Sequence, residues 1–432
     1  MDPDFLEQCV LIANAEERLH SYVKPLSIWD NMMEYQRQGV HDALLKQGRV
    51  LLADEMGLGK SIQALAIAIA YPEHWPILII CPSSLLMTWS DQIQQWLPFT
   101  NQDIRLTLKG SSLFGHIPAP LYEMATKNIY HLTQANYNIA ICDESHQLKN
   151  PKTNRTRELT PLLKKAKVVV MLSGTPALSR PIELFPQLHI LNQTLFPNMH
   201  QFGVQYCEAH QTRYGWNYQG GSNLSELHFI LEKSVMIRRL KDEVQLALPT
   251  KTRHIVHLNV APEQLIQYVA TSQAKIPAIL QYLDEWLLST DEKVIVFAYH
   301  LHVVDALACY LAKHQIKFVR MDGNTKQTER HRLCQEFQRS GDIQVALLTI
   351  TAMNVGMNFQ AASKVIFAEI YWNPSHLLQA EDRVHRIGQM NSVQIKYLLA
   401  MQTAADFMMW SMLMKKLKVV GDVLGKDHSE TK

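Results

Sequence analysis

Short unbroken apolar runs recur along this chain, each followed by a stretch with helical spacing. Val50-Leu51-Leu52-Ala53, Ile77 to Cys81, Ile139 to Cys142 and Val168 to Leu172 make up the first set. Strands buried on both faces read this way, because neither side chain row meets water. Ser61 to Ala70 and Leu85 to Trp96 have the spacing of the helices between them. The pattern predicts a parallel sheet covered by helices on both faces, over residues 25–182. Residues 1–24 read as an N-terminal extension. The rhythm then stops. Residues 183–250 lack strand-like runs and carry aromatics, Asn and Gly, as in Tyr214-Gly215-Trp216-Asn217-Tyr218-Gln219-Gly220-Gly221. Leu227 to Leu240 predicts a helix, so this region reads as a helical protrusion. The step Leu248-Pro249-Thr250-Lys251 leads into a linker and helical segment over 251–285. Lys293 to Phe297, Phe318 to Met321, Val345 to Leu348 and Lys364 to Phe367 then predict strands, and Val303 to His314 a helix. They define a second unit over 286–403. Residues 404–432 complete the chain as a C-terminal helix and tail. The Met-rich Phe407 to Met414 reads there as a terminal helix packed back on a lobe, not as a metal or cofactor box. The fold class is α/β, with two doubly wound parallel-sheet lobes in tandem.

Composition agrees with a packed globular chain. Of 432 residues, 47% are hydrophobic and 19% charged. A net charge of +2, from 42 basic and 40 acidic residues, neither demands nor excludes nucleic acid. A local basic face decides that. No two of the six cysteines form C-x-x-C, which argues against structural zinc. Cys81 and Cys142 sit within apolar runs and read as core thiols of a reducing compartment. No apolar run approaches the roughly 18 residues of a membrane span. Met1 to Arg18 lacks a signal-peptide profile.

The first chemical motif is Asp54-Glu55-Met56-Gly57-Leu58-Gly59-Lys60-Ser61. It follows a predicted strand and opens a predicted helix, as a phosphate-binding loop does. Gly57 and Gly59 let backbone N–H groups turn inward around phosphate oxygens. The helix start adds its positive dipole end. Lys60 would reach the β- and γ-phosphates, and Ser61 would ligate magnesium. Asp54 stands where the pattern G-x-x-x-x-G-K-[ST] has its first glycine.

Asp143-Glu144-Ser145-His146 ends a later apolar run. Ligands of doubly wound sheets bind at the carboxyl ends of strands, which brings this pair to the same edge. Asp143 would bind Mg2+ and Glu144 would orient the attacking water. His146 reads as a link within the site rather than a metal ligand. Leu172-Ser173-Gly174-Thr175-Pro176 follows a further strand. Gln379 to Gln389 lies in the second unit and carries Arg383 and Arg386, which share a face on a helix and suit a γ-phosphate. The basic clusters Lys164-Lys165-Ala166-Lys167, Arg238-Arg239 and Lys415-Lys416-Leu417-Lys418 read as solvated faces. Tyr214, Trp216 and Tyr218 suit either stacking on bases or packing within the protrusion.

Taken in order, these pieces resemble the Swi/Snf-type ATPases of helicase superfamily two. Tyr35-Gln36-Arg37, DEMGLGKS, CPSSLLMTW from Cys81, DESHQLKN, LSGTP, RRLKDEV from Arg238, the Leu248-Pro249 step, RMDG from Arg320 and QAEDRVHRIGQ carry the resemblance over about residues 30 to 400. LSGTPALSRPIELFPQ, YGWNYQGGSNLSEL and FAEIYWNPSHLLQAEDRVHRIGQ are similar to the annealing-helicase, HepA-related branch. The resemblance implies a P-loop NTPase of two RecA-like lobes, with ATP and Mg2+ at the site. It implies that Gln36 reads the adenine edge and that residues 54–61 bind ATP. Ser61 and Asp143 would hold the metal, with Glu144 as catalytic carboxylate. Ser173 and Thr175 would couple hydrolysis to lobe motion. Gly356, Asn358 and Gln379 would face the coupling and DNA-binding surface, and Arg383 and Arg386 would complete the catalytic set from the second lobe. Where the family has a glycine pair near Gly356, this chain has Met353-Asn354, a stiffer loop. Leu121-Tyr122-Glu123 stands nearest to the family's Ser-Tyr-Asp element.

The function these readings imply is a DNA-dependent ATPase that translocates on duplex or forked DNA and rewinds or remodels it. The alternatives are a strand-separating DNA or RNA helicase and a catalytically weak DNA-binding scaffold. The sequence has no evident wedge hairpin, which favours the translocase. The expected setting is the bacterial cytoplasm beside the nucleoid, or the nucleus in a eukaryote.

Overall fold

The computed structural model describes residues 3–97, 104–107, 117–177, 180–213, 215–244, 249–260, 268–287, 292–353, 357, 359–386 and 389–424. Gly356, Asn358 and Tyr214, singled out above, lie outside the described residues. The chain divides into two compact units, Met1–Gln245 with Asp422–Gly425 and Leu246–Gly421 with Lys426–Lys432.

The strands of the first unit are β1 (Arg49–Leu52), β2 (Ile77–Ile80), β3 (Ile104–Thr107), β4 (Ile117–Pro120), β5 (Ile139–Asp143), β6 (Val168–Leu172), β7 (His210–Thr212), β8 (Gly215–Asn217) and β9 (Met236–Ile237). Five form one parallel sheet in the order β2-β5-β6-β1-β9. β3 pairs with β4, and β7 with β8. The helix Lys60–Ile69 is apolar nearly all round and buried along most of its length, as a helix inside a core must be.

Three boundaries differ from the sequence reading. Ala15, Leu19 and Val23, in the expected N-terminal extension, belong to the core of the first unit. Arg18 fastens that segment, donating to Ala70 O at 2.8 Å and pairing with Glu73 at 2.7 Å. The expected helix to Leu240 runs instead over Leu224–Ser234. Met236 and Ile237 then join the sheet beside Leu51 and Leu52. Two residues are too few to show a strand period, so β9 left no pattern to read.

The second unit holds β10 (Lys251–His257), β11 (Val294–Ala298), β12 (Phe318–Met321), β13 (Val345–Thr349), β14 (Lys364–Phe367) and β15 (Val393–Leu399). All pair in parallel, in the order β10-β15-β14-β11-β13-β12. Ile295 and Phe297 enter one core, while Val294, Val296 and Ala298 enter the other. That alternation places a helical layer on each face. β10 lies in the stretch expected as linker. It is an edge strand with alternating exposure and four basic or histidine side chains, which masks it as a polar segment. In the C-terminal helix Ala404–Leu424, Leu413 is buried and Met409 and Trp410 pack on the core, while Phe407 and Met408 are exposed.

Candidate active site

Pairing in the first sheet aligns Asp143 with Leu172, Leu172 with Leu52, and Leu52 with Ile237. These residues end, or nearly end, four adjacent strands. The strand ends and the segments just beyond them therefore share one edge: Asp143 at the end of β5 with Glu144 after it, Ser173 to Thr175 after β6, Asp54 to Ser61 after β1 and Arg238-Arg239 after β9. The sheet register, not proximity in sequence, assembles the site.

The loop after β1 turns at Gly57 (φ 89°) and Gly59 (φ 72°), conformations that favour glycine. Gly59 immediately precedes the helix Lys60–Ile69, whose second residue is Ser61. Lys60 Nζ donates to the carbonyls of Asp54 at 2.7 Å and Glu55 at 3.3 Å. Burial pushes its ammonium below the usual lysine range, and the charges of Asp54, Glu144 and Asp143 oppose that shift. Tyr35 Oη and Gln36 Nε2 both donate to Leu58 O, at 3.0 and 3.1 Å. Gln36 Oε1 also accepts from Met33 N at 2.9 Å. The sequence-predicted adenine reader is thus braced against the phosphate loop. Gly174 leaves room for Met56, since a Cβ there would collide with the Met56 side chain.

Asp54 is fully buried and held as a carboxylate acceptor. Arg239 donates to it from Nε at 3.0 Å and Nη2 at 2.9 Å, and Gln63 Nε2 donates at 2.9 Å. Glu55 accepts from Lys241 N at 3.0 Å. Arg238 donates to Ala53 O at 2.6 Å. Arg238-Arg239, read from the sequence as a solvated face, is instead an internal brace of the loop.

Asp143 Oδ2 accepts from Trp89 Nε1 at 2.8 Å, and Oδ1 from Glu144 N at 2.8 Å. Burial and then the neighbouring Glu144 charge raise its carboxyl to about 6, against the lowering effect of these donors and of Lys60. Tyr122 Oη donates to Asp143 O at 2.9 Å, and Leu121 bridges Cys81. Leu121-Tyr122-Glu123 therefore reaches the acidic motif from a separate segment. Glu144 has φ 51°, a left-handed conformation that costs a non-glycine residue energy. His146 Nδ1 lies 3.2 Å from Glu144 Oε2 and 3.1 Å from Ser173 Oγ. Ser173 Oγ accepts from Thr175 N at 3.3 Å. Thr175 Oγ1 is buried with no hydrogen-bond partner among the described residues. A second bridge runs from Ser145 Oγ to Gln187 Oε1 (2.8 Å) and from Gln187 Nε2 to Pro176 O (3.0 Å). The acidic motif and the Ser173–Pro176 segment are thus joined twice by side chains.

In the second unit the helix Pro374–Glu381 carries buried Gln379. It ends before Arg383 and Arg386, so these do not share an α-helical face as expected. The Arg383 carbonyl accepts from Phe359 N at 3.1 Å and that of Val384 from Gln389 Nε2 at 3.2 Å. Both carbonyls are committed outside the helix. Arg386 Nε donates to Asp382 O at 2.9 Å, and burial lowers its guanidinium. Arg253 clamps Glu381 at 2.6 to 3.1 Å, and Tyr397 Oη donates to the same carboxylate at 2.7 Å.

The motifs alone did not single out Trp89, Gln187, Arg239 or Arg253 as partners of site residues. One signal was available: a buried acid at a glycine position demands a nearby cation, and Arg239 belongs to a motif of arginines.

A model of the SNF2-related domain matches residues 32–301, and one of the helicase conserved C-terminal domain matches residues 274–388. The SWI/SNF-related matrix-associated actin-dependent regulator of chromatin subfamily A-like protein 1 of Xenopus laevis is 43% identical, over 97% of this chain and 47% of that protein. Its Caenorhabditis elegans homolog is 39% identical, over 95% and 64% respectively. The DNA annealing helicase and endonuclease ZRANB3 of Mus musculus is 37% identical, over 93% and 41%. The chain spans 41% to 64% of the length of these three relatives. With the SNF2-related domain covering more than half of its residues, the chain belongs to the SNF2-related family.

Proposed function

We propose that the chain is a DNA-dependent ATPase that translocates on duplex or branched DNA and rewinds or remodels it. The observation that carries this reading is the joined edge of the first sheet. There an acid pair stands beside a phosphate loop and is linked through His146 to Ser173. An ATPase that does mechanical work needs such a link between its hydrolytic carboxylate and a segment that can move. The names of the relatives, one a DNA annealing helicase and another a regulator of chromatin, support DNA as the partner.

The residues present fit a nucleotide with magnesium. The Lys60 ammonium donates to carbonyl oxygens, which phosphate oxygens can replace. Ser61 and Asp143 would hold the magnesium ion, whose charge would offset that of the phosphates. Residues 54–61 cradle the phosphates in this reading, and Gln36 supports the adenine end. Glu144 orients and polarises the water. Ser173 and Thr175 relay the state of the site. Arg383 and Arg386 are assigned to the γ-phosphate, and Gly356, Asn358 and Gln379 to the coupling and DNA-facing surface. DNA affinity would come mainly from phosphate contacts and fall with salt. The animal relatives favour a nuclear setting and lend no support to the bacterial one expected from the sequence.

Phosphate release is measured with single-stranded, duplex and forked DNA, for the wild type and Glu144→Gln. DNA stimulation in the wild type alone is the expected result. Equal, negligible rates would favour the scaffold, and robust unwinding of plain duplex in a strand-displacement assay would favour the strand-separating helicase over the reannealing enzyme.

A further inference from the structure

The strands β7 and β8 form an antiparallel ribbon, with His210 opposite Asn217, Gln211 opposite Trp216 and Thr212 opposite Gly215. Of these six residues, all but Asn217 are exposed. A two-stranded ribbon in water is marginal on its own. This one is fastened at its base. The Tyr218 ring lies so close over Gly203, in the helix Met199–Tyr206, that a Cβ there would collide with it. Tyr218 Oη is 3.0 Å from His200 Nδ1. Ser222 Oγ donates to Gln205 O at 2.9 Å and accepts from Glu208 N at 3.1 Å, and Asn223 Nδ2 donates to Gln205 O at 2.9 Å.

Tyr218 is therefore the anchor, and Trp216 is what the anchor presents. Trp216 is 48% exposed. It meets His200 edge-on at 4.6 Å and lies near parallel to Tyr218 at 6.5 Å. Residues 209–218 include Arg213 and His210 but no acid. Gln211, Thr212 and Asn217 add hydrogen-bonding groups. A large π-face with Arg213 beside it suits an unpaired nucleobase and its phosphates. The interior of a duplex offers no free base face, whereas a junction does.

Resting on the function proposed above, we propose that this hairpin docks at the junction of duplex and single strand, with Trp216 stacked on an unpaired base. It would give a translocase its preference for forked over plain duplex DNA. The test is equilibrium binding of the full chain, without nucleotide, to labelled forked DNA and to blunt duplex of equal length. Wild type, Trp216→Ala and Trp216→Phe are compared. We expect Trp216→Ala to weaken fork binding roughly 5- to 150-fold, the range of one lost stacking contact, with duplex binding unchanged. Trp216→Phe should recover much of the loss. No fork preference in the wild type, equal losses on both DNAs or no loss on either overturns the proposal. The binding readout does not depend on hydrolysis, so a chain that binds forks through Trp216 yet releases no phosphate would count against the ATPase reading and not against this one.

Discussion

Arg239 closes on Asp54 through two roughly parallel hydrogen bonds, Nε to Oδ1 at 3.0 Å and Nη2 to Oδ2 at 2.9 Å. Paired donors on an ionised acceptor are stronger and more directional than single ones. The pair ties the end of β9 to a loop that follows β1, and it explains why the loop carries an acid where the phosphate-loop pattern has glycine. Asp54→Gly, which restores the pattern, is therefore expected to harm the protein. Arg239 would lose its counter-charge in a mostly buried place, at a cost of about 3–5 kcal/mol. Thermal unfolding should fall by several degrees, and phosphate release should fall with it. A variant as stable as the wild type would refute the role given to this pair.

Glu144 sits in a left-handed conformation within 3.2 Å of His146 Nδ1. Glu144→Gln keeps its size and removes its ability to polarise water. Turnover is expected to drop at least ~100-fold, the usual scale for a general base, with nucleotide affinity retained. His146→Ala is expected to act differently. It breaks the link to Ser173 and should reduce the stimulation by DNA more than the basal rate. Phosphate release with and without DNA separates the two, and identical profiles for both variants would contradict the relay.

Strands β6 and β14 begin and end where the predicted runs do, at 168–172 and 364–367. Their central residues are buried, so burial itself is written into the chain as an unbroken run. β10 was illegible for the opposite reason: one edge faces solvent and its sequence is largely polar. At Met236–Ile237 pairing with β1 overrides the helical spacing, since tertiary contacts outweigh weak local propensity. The same division holds in the candidate site. Lys60, Asp143, Glu144 and Ser173 stand in short motifs that can be read locally. Their supports come from far along the chain: Trp89 lies 54 residues from Asp143, Gln187 lies 42 from Ser145, and Arg239 lies 185 from Asp54. Only the sheet order brings those residues together.

Gly59 has φ 72°, and a Cβ there would strike Gln36 Nε2. Gly59→Ala carries two costs: the left-handed conformation, about 1–2 kcal/mol, and displacement of the amide that holds Leu58 O. Nucleotide affinity is expected to fall by roughly a factor of 10 or more, with a small drop in thermal stability. Titration with a fluorescent ATP analogue checks the first and a melting curve the second. Gly341→Ala is the control, because a Cβ there meets nothing within 4 Å. It should leave both unchanged.

Glu381 is fully buried, and three groups bear on it: Arg253 at 2.6 Å, Lys251 at 3.5 Å and Tyr397 Oη at 2.7 Å. Burial alone would raise its carboxyl, but the charges of Arg253 and Lys251 prevail and hold it at about 2, below the ordinary 4.5. A carboxyl depressed in the folded state stabilises the fold above its unfolded value and ceases to do so as the pH falls through its folded value. The contribution should thus be complete above about pH 4.5 and vanish towards pH 2, and a depression of this size corresponds to a few kcal/mol. Glu381→Gln leaves Arg253 and Lys251 facing an uncharged amide, so it should destabilise the second unit strongly at pH 7. The gap between variant and wild type should then narrow as the pH drops from 4.5 towards 2, because in that window the unfolded wild type takes up a proton at Glu381 that Gln never binds. Denaturant midpoints measured from pH 7 to pH 2.5 check this, and a gap that stays constant over that window would mean that the ion pair, though present, does not set the acid stability of this unit.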